Sequence, residues 1–284
     1  MSINPRPLQI IPYLLYRDVP AALGFLARAF RPVNRGGIRN LFVLAAVTLG
    51  APSAVAGGSD ALCAAAKKPV EAEPRLAAAV AAVFGKAAFK ATSEDCIYPL
   101  KVLHYATADV LIVQAGEPGL ACHGCGAPLS AYVLRRVDGG LKTVRAYRKF
   151  AAPGTFGTVG DISPVEIGGD DGMAIESGGM FQGYGFTAVD FYAFHAGQLL
   201  NLNTTPIFIA AENSGAEMDS SKAIEVTAKW FFDPADKTAL VVDYKIKAHG
   251  ASRVERVVWR LQGTSLVLSR GRVPPEVSEA SGGG

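Results

Sequence analysis

Ile224-Glu225-Val226-Thr227-Ala228-Lys229-Trp230-Phe231-Phe232 is the stretch that decides the fold. Ile224, Val226, Ala228, Trp230 and Phe232 fall on one face, and Glu225, Thr227 and Lys229 on the other. That two-residue period belongs to a half-buried strand. Asp233-Pro234-Ala235-Asp236-Lys237 turns the chain. Val242, Tyr244, Ile246 and Ala248 then answer on a second strand, against Asp243, Lys245 and Lys247.

The same pattern extends outward. Downstream, residues 254–261 and 265–268 add two strands before Val273-Pro274-Pro275, leaving 274–284 as a flexible tail. Upstream, strands are expected at 102–105, 109–114 and 130–137, and Asp138-Gly139-Gly140 makes a hairpin with 141–150. Gly154-Thr155-Phe156-Gly157 begins a loop, Gly168 to Gly172 is a turn, and 186–194 returns through Ala196-Gly197 to 199–202. Leu76, Val80, Val83 and Phe84 recur at helical spacing, predicting one amphipathic helix over 75–90 after a linker at 57–74. Strands do not alternate with helices, so a doubly wound sheet is excluded. The expectation is a mainly β domain over 75–273: an antiparallel meander, sandwich or open barrel behind a short helix.

Half of the 284 residues are apolar and 19% are charged, which excludes a disordered chain. The net charge of +3 is mild. Its nearest approach to a basic stripe is Arg135, Arg136, Lys142, Arg145, Arg148 and Lys149, which falls in the expected hairpin and reads as a solvated strand face. No nucleic-acid partner is expected.

Residues 33–56 read as a signal peptide. Arg35 and Arg39 supply a positive start, Leu41 to Leu49 is an uncharged apolar run, and Gly50 and Pro52 break it. Ala54-Val55-Ala56 then offers a small-x-small cleavage site before Gly57. The run is shorter than the ~20 apolar residues of a membrane span, so cleavage is favoured over an uncleaved anchor, which would be the chain's only link to a membrane. Leu62 before Cys63 argues against lipidation. The alternative is a buried Ala-rich helix.

Some thirty residues precede this signal. Ile11-Pro12-Tyr13-Leu14, Asp18-Val19, Ala21-Ala22, Phe25 and Ala29-Phe30 together resemble the opening strand and helix of the glyoxalase/bleomycin-resistance (vicinal oxygen chelate) superfamily. Leu26 and Arg31 depart from it, standing where the family has an aromatic and a glycine. The resemblance covers residues 8–31 and implies a metalloenzyme whose ligands come from several strands of a paired module. Nothing after Arg31 continues that module, so no ligand carries over. Residues 1–32 are thus a truncated remnant, a fusion scar or an over-extended start, the last with Val33 as the initiator.

Chemistry-bearing residues are few. Cys63, Cys96, Cys122 and Cys125 all follow the cleavage site, and an even count in an oxidising compartment reads as disulfides. Cys63 with Cys96 and Cys122 with Cys125 is the favoured pairing of three. Cys122-His123-Gly124-Cys125 admits three readings: a small disulfide loop, a thiol-redox pair, or part of a metal site. Gly126 stands where covalent haem attachment requires histidine. His104, His195 and His249 are scattered on strands or strand ends, with His104 and His195 free to approach the loop in space. Asp170, Asp171 and Glu176 read as a glycine-flanked turn rather than a calcium loop. The Gly178 to Gly185 stretch suits bulges or close backbone approach, and its aromatics read as core or edge residues ahead of a binding surface. No catalytic residue and no cofactor emerge. The leading expectation is a non-enzymatic exported binding or envelope-associated module; thiol-redox or metal handling comes second, and a glyoxalase-like metalloenzyme last.

Overall fold

The computed structural model describes residues 61–90, 96–217 and 219–282. The chain is mainly β, with short helices at its described edges. Strand β1 (Leu62–Cys63) leads into helices α1 (Lys67–Ala72) and α2 (Pro74–Phe84) and then β2 (Phe89–Lys90). Four longer strands follow: β3 (Ile97–His104), β4 (Asp109–Ala115), β5 (Leu129–Val137) and β6 (Gly140–Ala151). They form a six-stranded sheet in the order β2-β1-β3-β4-β5-β6, parallel only where β1 meets β2 and β3.

The second sheet takes β7 (Ile162–Ile167), β8 (Asp170–Phe181), β9 (Tyr184–His195), β10 (Gln198–Asn201) and β11 (Ile207–Glu212). It continues through β12 (Ile224–Asp233), β13 (Asp236–Ala248), β14 (Ala251–Gln262) and β15 (Ser265–Arg270). The order is β15-β14-β13-β12-β11-β9-β8-β7, with β10 on the outer half of β9. Several hairpins turn on two residues at positive φ, as at Asp138–Gly139 in the first sheet and Ala196–Gly197 in the second. Such turns match the right-handed twist of the strands.

Burial explains the layering. Ile224, Val226 and the facing Ile246 and Ala248 join Val189, Phe191, Val242, Tyr244 and Val257 in one cluster, so the nine-stranded sheet curls around its own apolar face. The Gly168 N–H donates to the Lys237 carbonyl at 3.0 Å, bringing the β7–β8 turn to β13. Strands β7 and β15 do not pair with each other, so the barrel is open. The other face of β7, β8 and β9 presents Ile162, Met173, Ile175 and Tyr192 to Leu103, Val110, Ile112 and Leu129 of the first sheet. On that sheet's far side α1 and α2 bury Val70, Leu76, Ala79 and Val80 against Val102, Leu111, Tyr132 and Leu134. A sandwich thus shares one wall with a half-barrel.

Three boundaries differ from expectation. The leading helix ends at Phe84, because Gly85 takes φ +63 and its N–H closes the last turn on the Ala81 carbonyl at 3.0 Å. The described part of the expected linker is ordered: Leu62, Cys63, Ala66 and Val70 are buried there and Cys63 is bonded to Cys96. The expected tail carries helix α3 (Pro275–Ala280), whose Val277 and Ala280 enter the half-barrel core. Pro275 suits a first helical turn, where no N–H donor is needed. The expected signal segment with Ala54, Ala56 and Gly57, and the stretch 8–31 expected to resemble a glyoxalase opening, lie outside the described residues.

The basic hairpin occupies the edge of the six-stranded sheet, where β6 carries Lys142, Arg145, Arg148 and Lys149. Charge on an edge strand discourages further strands from adding.

Candidate functional site

Strand β8 runs the length of the sandwich wall, about 36 Å at ~3.3 Å per residue. The cysteine loop lies at its Phe181 end. Both disulfides form as paired in the sequence, Cys63–Cys96 and Cys122–Cys125, with no free cysteine among the described residues. The first is buried and ties β1 to the start of β3. The second is exposed in the β4–β5 connection.

Its surroundings are built rigidly. The Cys125 N–H donates to the Cys122 carbonyl at 2.9 Å, and the Gly157 N–H to the Cys125 carbonyl at 2.8 Å. The Phe156 N–H donates to the His123 carbonyl at 3.2 Å. Buried Gln114 donates from Nε2 to the carbonyls of Gly116 (3.1 Å) and Gly157 (3.0 Å). Gly157, at φ +64, packs so closely that a Cβ there would meet the Ala121 Cβ at 2.8 Å. A Cβ at Gly179 on β8 would likewise meet the Thr155 Cγ2 at 2.8 Å. These two glycines let the loop lie flat on β8.

His123 is the centre of this end. Its ring stacks on Phe156 at 4.6 Å and lies 5.7 Å from Phe181, and Nε2–H donates to the Met180 carbonyl at 2.9 Å. Met180, Phe181 and Phe156 are exposed by 61%, 58% and 47%. Leu120, also exposed, lines the shallow hollow beside Cys125 and Gly157. Phe156 and Gln182 adopt φ +54 and +51, a region that costs a bulky L-residue of order 1 kcal/mol. The result is an apolar collar around a disulfide.

The loop lacks a feature of each of two familiar cysteine sites. Residues 126–128 lead straight into β5, so no helix N-terminus lies behind Cys122 to lower its thiol pKa in the way redox pairs use. A side chain at Gly126, where haem attachment would need histidine, would collide with the Ala152 carbonyl. Among the described residues no group of three His, Cys, Asp or Glu is placed to hold a metal ion.

The opposite end of the wall is polar. A cleft of about 590 Å³ opens between the sheets, lined in part by Tyr105, Arg135, Arg145, Tyr147, Asp171 and Phe194. His195 pairs with Asp170 at 2.7 Å, and His104 with Asp109 at 2.7 Å. Both histidines therefore lie far from the cysteine loop. Burial and the nearby Asp171 charge push the Tyr105 phenol above its ordinary pKa, and its hydroxyl donates to the Gly172 carbonyl at 2.8 Å. Glu176 points to the other face of β8 and accepts from Trp230 Nε1 at 3.0 Å. The Asp170, Asp171 and Glu176 carboxylates do not converge.

One polar network escapes sequence reasoning. Asn203, buried, accepts the Phe191 N–H on Oδ1 at 2.7 Å and donates from Nδ2 to Asp190 Oδ1 at 3.0 Å. Burial lifts the Asp190 carboxyl above its ordinary range, and the Asn203 bond only partly opposes this. Tyr192, with Asn201 Nδ2 donating to its oxygen at 3.3 Å, is pushed up to about 12, chiefly by burial. Only alternation could have flagged Asp190, as a charge on the buried face of an apolar strand.

A carboxyl raised in the folded state binds its proton more tightly there than in the unfolded chain. Stability is therefore greatest below the unfolded value near 3.8 and falls as pH climbs through the raised folded value. Asp190→Asn keeps an acceptor for Asn203 and removes the charge. The variant is expected to be more stable than the parent at pH 7, with the difference gone by about pH 3.5. Urea unfolding of both proteins at the two pH values checks this; a less stable variant at pH 7 contradicts it.

Comparison with family models, with curated proteins and with solved structures gave no match.

Proposed function

We propose that the chain is an exported, disulfide-stabilised β domain that acts as a non-enzymatic binding module through the collar around Cys122 and Cys125. The observation that carries this reading is the pairing of exposure with rigidity at Phe156, Met180 and Phe181. Half-exposed aromatics and methionine on a pinned backbone are what interface hot spots use, since little side-chain freedom is lost on docking. The strain at Phe156 supports the same reading, because its ring gains no core burial in return.

The collar's flank selects the kind of partner. Gly215 packs on Gly183 at the β8–β9 tip, and Glu212, Glu217 and Asp219 belong to that neighbouring segment with Lys222. This acidic excess disfavours an anionic membrane and favours a polypeptide with an apolar anchor between basic residues. Export is supported by the succession of Arg35, the apolar Leu41 to Leu49 and Ala54-Val55-Ala56 in the sequence, and by disulfides compatible with an oxidising compartment. No helix of the described residues is long and apolar enough to cross a membrane.

A photocrosslinking side chain at Met180 tests the collar in the native host. One discrete polypeptide adduct is expected, and it is lost when Phe156→Asp and Phe181→Asp are added. The adduct's purified partner should then bind the parent domain in solution and the double variant at least about tenfold more weakly. The same adduct from a crosslinker at Val254, exposed on the half-barrel, contradicts the reading.

The exposure of Cys122 and Cys125 supports a second reading, thiol-disulfide exchange, in which a partner dithiol is oxidised as this disulfide gains two electrons and two protons. Titration with dithiothreitol and thiol alkylation separates the two. A reduced pair with depressed thiol pKa favours redox work, and ordinary thiols favour the collar.

A further inference from the structure

Between the end of β6 and the face of β9 lies a groove of about 360 Å³, separate from both ends of the sandwich wall. Pro153, Phe186, Pro206 and Phe208 supply apolar walls, with Asp190 and Tyr192 among them. The Phe186 and Phe208 rings meet edge to face at 5.7 Å. A mostly apolar groove with a few convergent polar groups is the usual form of a small-molecule site.

Asp190 is the unusual member. Its partner Asn203 is fixed from every side: the Asn203 N–H donates to Asn201 Oδ1 at 2.9 Å, and Nδ2 also donates to the Thr205 carbonyl at 3.1 Å. That leaves Asp190 with one neutral donor on Oδ1 and no lysine or arginine in ion pair with it among the described residues. A half-buried carboxylate without a counter-charge costs stability. An external cation would complete it, and aromatic rings such as the neighbouring Phe186 and Phe208 favour the same charge.

We propose that this groove binds a small organic cation, with its ammonium group on Asp190 and its apolar body against Phe186, Pro206 and Phe208. The volume suits a single ring or short alkyl chain. Ser177 and Thr204, on the same lining, offer hydroxyls to the remaining ammonium protons.

Benzylammonium is the probe, titrated calorimetrically into the purified full-length domain with benzyl alcohol as its neutral near-isostere. Saturable binding of benzylammonium is expected, with the alcohol at least about tenfold weaker, since a hydrogen bond to a charged group is lost. Asp190→Asn should weaken benzylammonium by about tenfold or more, and Phe208→Ala by several-fold. Glu225→Gln, the same charge change on the half-barrel, should leave the affinity unchanged. Circular dichroism and urea unfolding show that each variant is folded before titration. No binding at millimolar probe, equal affinity for the alcohol, or equal losses in Asp190→Asn and Glu225→Gln would each overturn the proposal.

Discussion

Replacement of Phe191 by alanine is expected to lower the unfolding free energy by about 3–5 kcal/mol. Phe191 is wholly buried on the half-barrel face of β9. Its ring meets Trp230 at 5.1 Å and Phe232 at 5.3 Å, both edge to face, so one side chain joins β9 to β12. Truncation removes the transfer energy of a phenyl ring, leaves a cavity that a sheet cannot collapse into, and loses two aromatic pairs worth ~0.5–1.5 kcal/mol each. The backbone bonds at Phe191, to Asn203 Oδ1 and from the Leu202 N–H at 2.8 Å, are untouched by the change. The slope of urea unfolding should therefore stay constant while the midpoint falls. Phe181→Ala, in the collar, should change stability by less than about 0.5 kcal/mol. Equal effects at the two positions would contradict the assignment of one aromatic to the core and the other to a contact surface.

The second large effect separates the disulfides. Cys63–Cys96 closes a sequence separation of 33 residues and Cys122–Cys125 one of 3. Loop-closure entropy assigns about 4 kcal/mol to the first and less than about 2 kcal/mol to the second. Burial acts in the same direction, since Cys63 and Cys96 pack in the core under α1 and α2. The double variant Cys63→Ala with Cys96→Ala should thus melt roughly 8–16 °C lower, and Cys122→Ala with Cys125→Ala only a few degrees lower. Under native conditions dithiothreitol should open the exposed pair first and reach the buried pair only through unfolding. Alkylation at intervals followed by peptide mass measurement reads that order directly. Simultaneous reduction of the two pairs would contradict it.

Much of the fold was legible because the chain states it locally. The Ile224 to Phe232 alternation and its partner in β13 appear in register, Ile224 opposite Ala248 and Trp230 opposite Val242. The Asp138–Gly139 turn and the Cys122–Cys125 pair are equally local in their signals, and Cys63 with Cys96 is the pair that remains. What the sequence left out is assembled over distance. The curl that brings the Gly168 turn to Lys237 has no periodic signature, and neither does the docking of α3 beneath it. Cys122 to Cys125 were visible as a candidate loop, but their aromatic company was not, because Phe156 and Phe181 arrive from two other segments. The Asp190 groove draws on β6, β8, β9, β10 and β11, and no single stretch announces it.

The proposed export and both disulfides require that the chain reach an oxidising compartment. Mass measurement of the protein recovered from its native host, with a non-reducing peptide map, tests this most directly. A mature chain beginning at Gly57 is expected, with no titratable thiol and with Cys63 joined to Cys96 and Cys122 to Cys125. A cytoplasmic chain that keeps Arg35 to Ala56 and carries four free thiols would contradict it.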